Sequence, residues 1–427
     1  MNVVDSSLRD FRTSGVAIFL VALTVRILFI VFAHPYHDLN RYELERTAIS
    51  LATQGLYGNP YAIPTGPTAH VSPGYTILLA GIFRIFGTGT LAEIIKEIFA
   101  SIVTSLACAL LPWVAQNLRI SREAGLLSGM FSALLPLSPL VQIDGDWEAP
   151  YTALALMLVC VLTRRLWQDR VLSNRQAVMN GFCWGMSLLF AGALLALFFI
   201  LLAAGFWFCR AGGLKRYLRF ACVEAAIAVL CLTPWAVRNE RALRALVWTR
   251  SNFGLELRVS NNDFAYPDQR LNSLYGVYNR YHPLQSPEEA AKVRNMGEIL
   301  YNAQAAAAAK DWIRNHPRKF LALCVGRFRC FWFYPDPSRI KAILMGIVVV
   351  LGVAGLYSEW KSDRLTAALL TTVLIIYPLP SYLVHVGVRQ QYPIQWILTL
   401  LGAGLVVRWG RRWVSRPSRV ETVTPAA

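Results

Sequence analysis

The stretch from His34 to Pro73 reads HPYHDLNRYELERTAISLATQGLYGNPYAIPTGPTAHVSP. It is polar and carries three acids, Asp38, Glu43 and Glu45, whereas one hydrophobic span, 15–33, precedes it and mostly apolar sequence follows it. A stretch of this kind is expected to form a loop held against a membrane by the spans on either side. We expect any chemistry of the protein to lie in this loop.

The composition indicates a helical membrane protein with many spans. The chain has 427 residues, of which 55% are hydrophobic and only 16% charged, and its mean hydropathy is +0.42. Long uncharged apolar runs recur along most of its length, as transmembrane helices require. The formal net charge of +17 does not indicate nucleic-acid binding. The basic residues cluster at the ends of apolar spans, where membrane topology places them.

The basic clusters predict about ten transmembrane helices with both termini in the cytoplasm. The region 179–208 is too long for one span, so we predict two short helices that turn at Ala191–Ala193. The predicted spans are 15–33, 94–116, 124–143, 149–161 and beyond, two within 179–208, 220–237, 340–357, 365–384 and 394–407.

The predicted organisation has four parts. Residues 1–237 form a transmembrane module that includes the outer loop 34–72 and a short interfacial helix, 73–87. Residues 238–339 form a small mixed extracytoplasmic region, residues 340–409 the last membrane helices, and residues 410–427 a basic cytoplasmic tail. Within the extracytoplasmic region, FGLELRVSNNDFAYPD (253–268) is interpreted as strand and turn, and the sequences 287–315 and 317–333 as helices.

Three other features have structural interpretations. The eight cysteines form no CxxC pair and most lie in predicted spans, so they are interpreted as small apolar filler. The N-terminus leads into the first span without a small-residue cleavage site, which predicts an uncleaved helix. Arg26 within that span is interpreted as snorkelling or paired between helices rather than as a substrate ligand.

Asp38-Leu39-Asn40-Arg41-Tyr42 is the first group that can carry chemistry. A carboxylate just outside a membrane helix can serve as general base for a hydroxyl nucleophile. A solvated loop acid is the alternative interpretation.

From this point the chain resembles a known family. DLNRY, a helical segment, Gly55, a Pro-rich turn and SPGYTILLAGIFRIFG (72–87) are similar to the first outer loop of the GT-C membrane glycosyltransferases. The resemblance is to the protein mannosyltransferase and aminoarabinose transferase type, similar to glycosyltransferase family 39. Further pieces look like a bacterial branch of the same group, and the resemblance covers nearly the whole chain. They are PWAVRN (234–239), SNFGLELRVSNN (251–262), GEILY (297–301) and NHPRKF (315–320).

The resemblance implies that Asp38 is the catalytic base. The acid that usually follows that aspartate is Leu39 here, and the bacterial branch has a recurring glutamate at the position of Glu43, so both acids are candidates. The resemblance also implies that an acid of the second outer turn faces the donor phosphate. Asp144, Asp146 and Glu148 lie in that turn, and Glu148 stands closest to the position.

The candidate ligands of a divalent metal ion are His70 and Glu148, because a histidine with carboxylates can hold such an ion. A hydrogen bond of His70 within its own loop is the alternative. No other cofactor is expected.

A lipid-phosphate donor needs cations, and arginine binds phosphate through paired donors. The candidates are Arg258 beside Asn261 and Asn262, Arg389 in VGVRQQYP, and Arg238. Each of these arginines could equally anchor the protein at the membrane interface. The remaining substrate-binding candidates, implied by the resemblance, are Arg41 and Tyr42.

The sequence therefore predicts an all-α polytopic membrane protein of the GT-C type. It would be an inverting hexosyl- or pentosyltransferase that moves a sugar from a polyprenyl-phosphate donor to an acceptor hydroxyl on a glycan, lipid or protein. The predicted location is the bacterial inner membrane, with the site facing the periplasm. A transporter or flippase of lipid-linked sugars is the alternative, but it would favour charged residues midway through several spans and an internal repeat.

Overall fold

The computed structural model describes residues 2–37, 41–134, 147–169, 172–209 and 213–414. In these ranges the chain forms helices and no strand, and its extended contacts are two isolated bridges, Gly58 with Pro67 and Asp268 with Val386. The predicted all-helical class is confirmed. Asp38, Asp144 and Asp146 lie outside the described residues, as does the tail from 415 onward.

The α-helices follow the predicted segments closely, and most begin or end within a few residues of the predicted limits. They are Asn2–Ala33, Glu43–Gln54, Pro73–Phe86, Thr90–Asn117, Arg122–Leu134, Ala149–Asp169, Asn174–Phe190, Leu195–Cys209, Leu214–Leu243, Phe253–Ser260, Gln269–Leu274, Val277–Tyr281, Pro287–Met296, Glu298–Asn315, Pro317–Trp332, Arg339–Ser362, Arg364–Ile376, Leu379–Leu383 and Val388–Val414.

Seven helical segments in the described part of the chain are long and apolar enough to cross a membrane. They are Ser14–Ala33, Thr90–Asn117, Ala149–Asp169, Gly192–Cys209, Leu214–Leu243, Arg339–Ser362 and Arg364–Leu383. Three further helices correspond to the remaining predicted spans, namely Arg122–Leu134, Asn174–Phe190 and Val388–Val414. The total of ten spans therefore stays a prediction.

Glycines let the long helices approach one another closely, as small residues do in membrane proteins. A Cβ atom on Gly355 would lie 2.2 Å from the carbonyl oxygen of Leu401, and one on Gly181 would lie 2.4 Å from that of Glu224. Arg26 is fully buried and donates hydrogen bonds to the carbonyl oxygen of Ala22 in its own helix and to that of Ser132. The interhelical interpretation of Arg26 is thus confirmed.

The loop after the first helix is ordered by its own turn residues. The Glu43–Gln54 helix ends at Gly55, whose φ of 70° is the left-handed conformation that favours glycine. The next helix begins with Pro73 at its first position, where the missing N–H costs nothing. Both segments form helices as predicted, and the second, Pro73–Phe86, is too short to span a bilayer comfortably.

This loop packs against the long hydrophilic region, and the two together are called the hydrophilic end of the molecule (residues 41–72 and 244–338). The Ala62 N–H donates to the carbonyl oxygen of Pro283. Glu298 accepts hydrogen bonds from the backbone of Ala69 at 2.8 Å and from the hydroxyl of Ser251 at 2.5 Å. These bonds fix the loop at one end of the helix bundle.

The interpretation of 253–268 as strand and turn is wrong for its first half. Residues 253–260 form the Phe253–Ser260 helix, with Leu255 and Val259 fully buried on one face, four residues apart. Gly254 allows this helix to lie directly on the Glu298–Asn315 helix, because a Cβ atom there would lie 2.0 Å from the carbonyl oxygen of Asn302. Tertiary packing, which the local sequence does not show, selects the helix. The predicted 287–315 helix is also divided, at Gly297, whose φ is 84°.

Candidate active site

A cleft of about 490 Å³ opens where the membrane helices meet the hydrophilic end. This volume lies in the range of small-ligand sites. The cleft is lined partly by apolar side chains from the ends of membrane helices and partly by charged side chains. We call this cavity the charged cleft. Its charged and titratable lining residues are Glu148, Arg250, Glu256, His385 and Arg389, and its apolar ones include Ala191, Leu195, Tyr377, Val384 and Pro393.

Arg389 lies on an aromatic wall of the charged cleft. Its guanidinium carbon lies 3.5 Å from the centroid of the Trp147 ring, and the ring of Tyr42 lies 4.9 Å from that of Trp147. The Nη1 atom of Arg389 is buried and makes no hydrogen bond within the described part of the chain. A buried guanidinium donor without an acceptor is costly, so this atom is available for an anionic ligand.

The other arginine of the charged cleft is already paired. Arg250 Nη1 lies 3.4 Å from Glu148 Oε1, and its Nε donates to the carbonyl oxygen of His70 at 2.9 Å. Arg250 therefore ties the cleft to the loop that carries His70. Glu148 lines the cleft, and its described ion-pair partner is an arginine.

Glu256 and His385 form a second close pair in the charged cleft. Glu256 Oε2 lies 3.2 Å from His385 Nδ1, and the side-chain amide of Asn252 donates to Glu256 Oε1 at 3.2 Å. Burial by itself would raise the pKa of Glu256, but the contact with His385 lowers it well below its ordinary value.

Behind the charged cleft, Glu43, His70 and His282 form a buried group that we call the histidine cluster. One potential metal-ligating atom of each residue lies within 4.8 Å of those of the other two. His282 Nε2 lies 3.3 Å from Glu43 Oε1. The exposed fractions are 8% for Glu43, 2% for His70 and 4% for His282.

The hydrogen bonds of the histidine cluster test how well it fits a metal ion. The Tyr61 hydroxyl lies 2.9 Å from His70 Nδ1, so Nε2 of His70 is left for a ligand. Burial lowers the pKa of His70 to about 4, so this imidazole is neutral near pH 7, the form that binds metals. Two imidazoles and a carboxylate suit zinc and similar divalent ions.

His282 fits a metal less directly. Its Nδ1 accepts the backbone N–H of Leu284 at 3.1 Å, so a neutral His282 carries its proton on Nε2, 3.3 Å from Glu43 Oε1. Metal-ligating histidines usually donate a proton from the second nitrogen instead. A metal at Nε2 would therefore require this proton to leave and the Leu284 bond to change. His70 and Glu43 need no such rearrangement.

The remaining predicted site residues lie elsewhere. Arg41 donates to the carbonyl oxygen of Thr88 at 2.7 Å. The others have structural partners and do not line the charged cleft: Arg258 pairs with Glu289 at 2.9 Å, Asn261 and Asn262 donate to helix carbonyls, and Arg238 lies over the rings of Tyr57 and Trp235.

Five residues of these sites were not predicted from the sequence: Trp147, Arg250, Glu256, His282 and His385. One signal was present for His385. It precedes Arg389 by four residues in the sequence and lies just before the Val388–Val414 helix begins. His282 and Arg250 lie in loops far from His34–Pro73 in the sequence, and only the tertiary structure brings them together with it.

The fold is similar to that of solved archaeal oligosaccharyltransferases. The archaeal oligosaccharyltransferase AglB from Archaeoglobus fulgidus, in complex with an inhibitory peptide and a dolichol-phosphate, matches with a TM-score of 0.57 and 14% identity. The match covers 98% of this chain and 52% of that one.

Two further structures of the oligosaccharyltransferase from the same organism agree. The complex with Zn and sulfate gives a TM-score of 0.53 at 14% identity over 94% of this chain and 50% of that one. The form tethered to an acceptor peptide gives 0.55 at 16% identity, over 95% and 50%. The chain thus spans about half the length of these enzymes. At this identity the likeness shows the fold alone, and no family model or curated protein matches the chain.

Proposed function

We propose that this protein is a membrane glycosyltransferase that takes a sugar from a polyprenyl-phosphate donor and transfers it to an acceptor hydroxyl. The observation that carries the proposal is Arg389, whose buried Nη1 lacks a described partner in a cleft with one charged and one apolar side. A lipid phosphate matches both sides: its phosphate suits the guanidinium, and its isoprenoid chain suits the apolar helix ends. The similar archaeal enzyme was solved with a dolichol-phosphate.

The proposed reaction has one displacement step. The acceptor oxygen bonds to the anomeric carbon as the bond from that carbon to the phosphate oxygen breaks, so the configuration inverts. The acceptor proton passes to the base. Arg389 stabilises the charge on the departing phosphate, which is an electrostatic contribution to the transition state.

Asp38 remains the proposed base, although it lies outside the described residues. It stands four residues before Tyr42 in the sequence, and the ring of Tyr42 contacts Trp147 in the charged cleft. Glu43 is less suited to the role because it is buried against His282 and does not line the cleft.

The transporter alternative has less support. Arg26, a charged residue within a span, donates to backbone carbonyl oxygens and thus has a structural role. The finer assignments also stay proposals: a hexosyl or pentosyl group, a glycan, lipid or protein acceptor, and a site that faces the periplasm from a bacterial inner membrane.

The test of this function is sugar transfer from a panel of hexosyl and pentosyl polyprenyl phosphates by the purified protein in lipid. Asp38→Asn should still bind donor but lower the rate by about 10²–10⁴, the usual contribution of a general base. The control is Asp311→Asn, which changes an exposed acid of the hydrophilic end. If Asp38→Asn is fully active and Glu43→Gln is not, the base is Glu43. If neither change affects transfer, the mechanism proposed for this loop is wrong.

We also propose that the histidine cluster holds a divalent metal ion, with Glu43, His70 and His282 as ligands. When bound, the ion would stabilise negative charge behind the charged cleft. Metal analysis of the purified protein should give about one zinc-class ion per chain, and a His70→Asn, His282→Asn double variant should hold none. His316→Gln, which changes a histidine outside the cluster, should keep the ion. Wild-type protein that takes up no divalent ion after metal titration would exclude the site.

A further inference from the structure

A second cavity, of about 570 Å³, lies at the opposite end of the membrane helices from the charged cleft. The Ala149–Asp169 helix connects the two, because Thr152 near its beginning lines the charged cleft and Trp167 near its end lines the second cavity. A helix of 21 residues is about 30 Å long, so the second cavity is a separate site. We call it the arginine cavity. Its charged lining residues are Arg119, Arg164, Glu359, Asp363 and Arg364.

Both acids of the arginine cavity already have basic partners. Arg164 is fully buried, and its Nη2 lies 2.5 Å from Asp363 Oδ2. Glu359 is also buried, and its Oε2 lies 2.8 Å from Nη1 of Arg408. The negative charge of the lining is therefore neutralised within the protein.

The surplus positive charge of the arginine cavity comes from Arg119 and Arg364. Both side chains are exposed, and neither pairs with an acid or donates a side-chain hydrogen bond within the described part of the chain. Arginine binds phosphate through paired donors. Basic pockets between the ends of membrane helices bind the phosphate groups of lipid headgroups. Two such guanidinium groups in one cavity therefore favour an anionic, phosphate-bearing ligand.

The backbone of Arg119 indicates that its side chain has a role of its own. Its φ is 56°, the left-handed conformation, two residues beyond the end of the Thr90–Asn117 helix. Glycine is favoured at this position after a helix, because an L side chain is strained in that conformation. No described hydrogen bond from the guanidinium offsets this strain. A contact with a ligand in the cavity would offset it.

Two exposed aromatic residues indicate that the ligand is a lipid. Tyr357 is 65% exposed and Trp360 is 42% exposed, and both lie in the last turns of the Arg339–Ser362 helix. The same helix contributes Glu359 to the arginine cavity. Tyrosine and tryptophan at the ends of membrane helices lie at the level of the lipid headgroups. The cavity is thus at the depth at which a phospholipid presents its phosphate.

We propose that the arginine cavity binds the phosphate of an anionic phospholipid headgroup, with Arg119 and Arg364 as its ligands. Arg164 is a fixed part of the lining, because Asp363 and the hydroxyl of Thr366, at 2.8 Å, both hold it. A lipid with two phosphates, such as cardiolipin, engages both exposed arginines. The site is independent of the sugar donor and lies on the other side of the bilayer from the charged cleft.

A purely topological role for these arginines makes a different prediction. Basic residues at the ends of spans orient a membrane protein whether or not they line a cavity. Arg219, in the second turn of the Leu214–Leu243 helix, is exposed and does not line the arginine cavity. If topology is the only role, loss of Arg119 or Arg364 has the same effect on lipid binding as loss of Arg219.

The experiment is native mass spectrometry of the purified full chain with cardiolipin and with phosphatidylcholine of the same acyl chains. Every protein carries Arg389→Gln, which removes the phosphate ligand of the charged cleft. Adding Arg119→Gly or Arg364→Gln should weaken cardiolipin binding about tenfold, the value of one hydrogen bond to a charged group. Binding of phosphatidylcholine should not change. Arg219→Gln is the matched control and should bind cardiolipin as its parent does.

Thermal unfolding of Arg119→Gly separates binding from folding. Glycine adopts the left-handed conformation without strain, so this variant should unfold at a temperature no lower than its parent, although it binds cardiolipin more weakly. Unchanged cardiolipin affinity in both Arg119→Gly and Arg364→Gln would overturn the inference. Equal affinity of the parent for cardiolipin and phosphatidylcholine would also overturn it. Pyrophosphate that binds as tightly as cardiolipin, through the same arginines, would overturn the assignment to a lipid and identify a soluble phosphate compound instead.

Discussion

Arg389 and Arg258 show what the sequence can and cannot say about a single arginine. Both were candidates for phosphate binding, and each could equally have been an anchor. Arg389 lies over Trp147 in the charged cleft, and its buried Nη1 makes no hydrogen bond in the described part of the chain. Arg258 instead forms an ion pair with Glu289 and lies over the ring of Tyr281. The two arginines differ in the residues that they contact, and these contacts depend on the tertiary structure.

The Arg258–Glu289 pair leads to a pH prediction. Burial alone would raise the pKa of Glu289, but hydrogen bonds from Lys292 and Tyr301 and the charge of Arg258 lower it below its ordinary value of 4.5. A carboxyl with a lowered pKa in the folded state stabilises the fold above its unfolded pKa. This stability should be lost as the pH falls below about 4.5, through the folded pKa.

The measurement is the apparent unfolding temperature in detergent between pH 6 and pH 3. Glu289→Gln should unfold at a lower temperature than the wild type at pH 6, and the two should converge at the acid end. The control is Glu288→Gln. Glu288 is the exposed neighbour of Glu289 and its pKa is also lowered, so this variant tests whether the effect depends on the position of the acid. A difference between wild type and Glu289→Gln that stays constant with pH would contradict this assignment.

The residues of the candidate site were predictable to different degrees. Glu43 and His70 stood out because acids and histidines are unusual between apolar spans, and both lie in the histidine cluster. Their partner His282 did not stand out, because it lies in a long hydrophilic region where a histidine is unremarkable. Glu256 was hidden by the strand interpretation, which gave no reason to group it with Asn252, one helical turn earlier.

At the scale of elements, helix limits were predictable wherever a glycine or proline in the sequence marks the end or beginning of a helix. Gly55, Pro73 and Pro287 mark the ends or beginnings of helices as expected. The Phe253–Ser260 helix has only eight residues and no such signal, and it forms because Leu255 and Val259 are buried against neighbouring elements. Short helices depend on packing more than on propensity, so the sequence alone could not define this one.

The packing of that short helix can be tested at Gly254. An alanine there would place its Cβ against the Asn302 carbonyl of the neighbouring helix, so one of the two helices must shift. We expect Gly254→Ala to destabilise the protein by about 1–3 kcal/mol, the usual cost of overpacking. It should also weaken the binding of a polyprenyl monophosphate, because Phe253 and Glu256 on the same helix line the charged cleft.

The matched control is Gly81→Ala in the Pro73–Phe86 helix, where the added Cβ would meet no atom within 4 Å. Alanine favours helix over glycine, so this variant should be at least as stable as the wild type. Thermal unfolding and lipid-phosphate affinity of the two variants decide the question. Equal behaviour of Gly254→Ala and Gly81→Ala would show that the close helix approach is unimportant.

For the whole molecule, the apolar runs predicted where the long helices lie. The helices fall where the apolar runs are, and the fold matches that of the archaeal oligosaccharyltransferase over nearly the whole chain. The topology predicted from the basic residues stays a prediction. Composition cannot show which spans line a cleft, because residues such as Ala191, Tyr377 and Pro393 look like any other membrane sequence. The charged cleft is formed by segments that are more than 240 residues apart in the sequence.

The central claim is that the charged cleft holds a lipid phosphate, and photo-cross-linking tests it most directly. A polyprenyl monophosphate with a diazirine on its first isoprene unit would be irradiated with the full chain in lipid, and the labelled peptides identified by mass spectrometry. Labelling should fall on residues 147–152, 191–196 and 377–393, and it should be lost in Arg389→Gln. Labelling confined to helices away from the cleft, or unchanged in Arg389→Gln, would contradict the account.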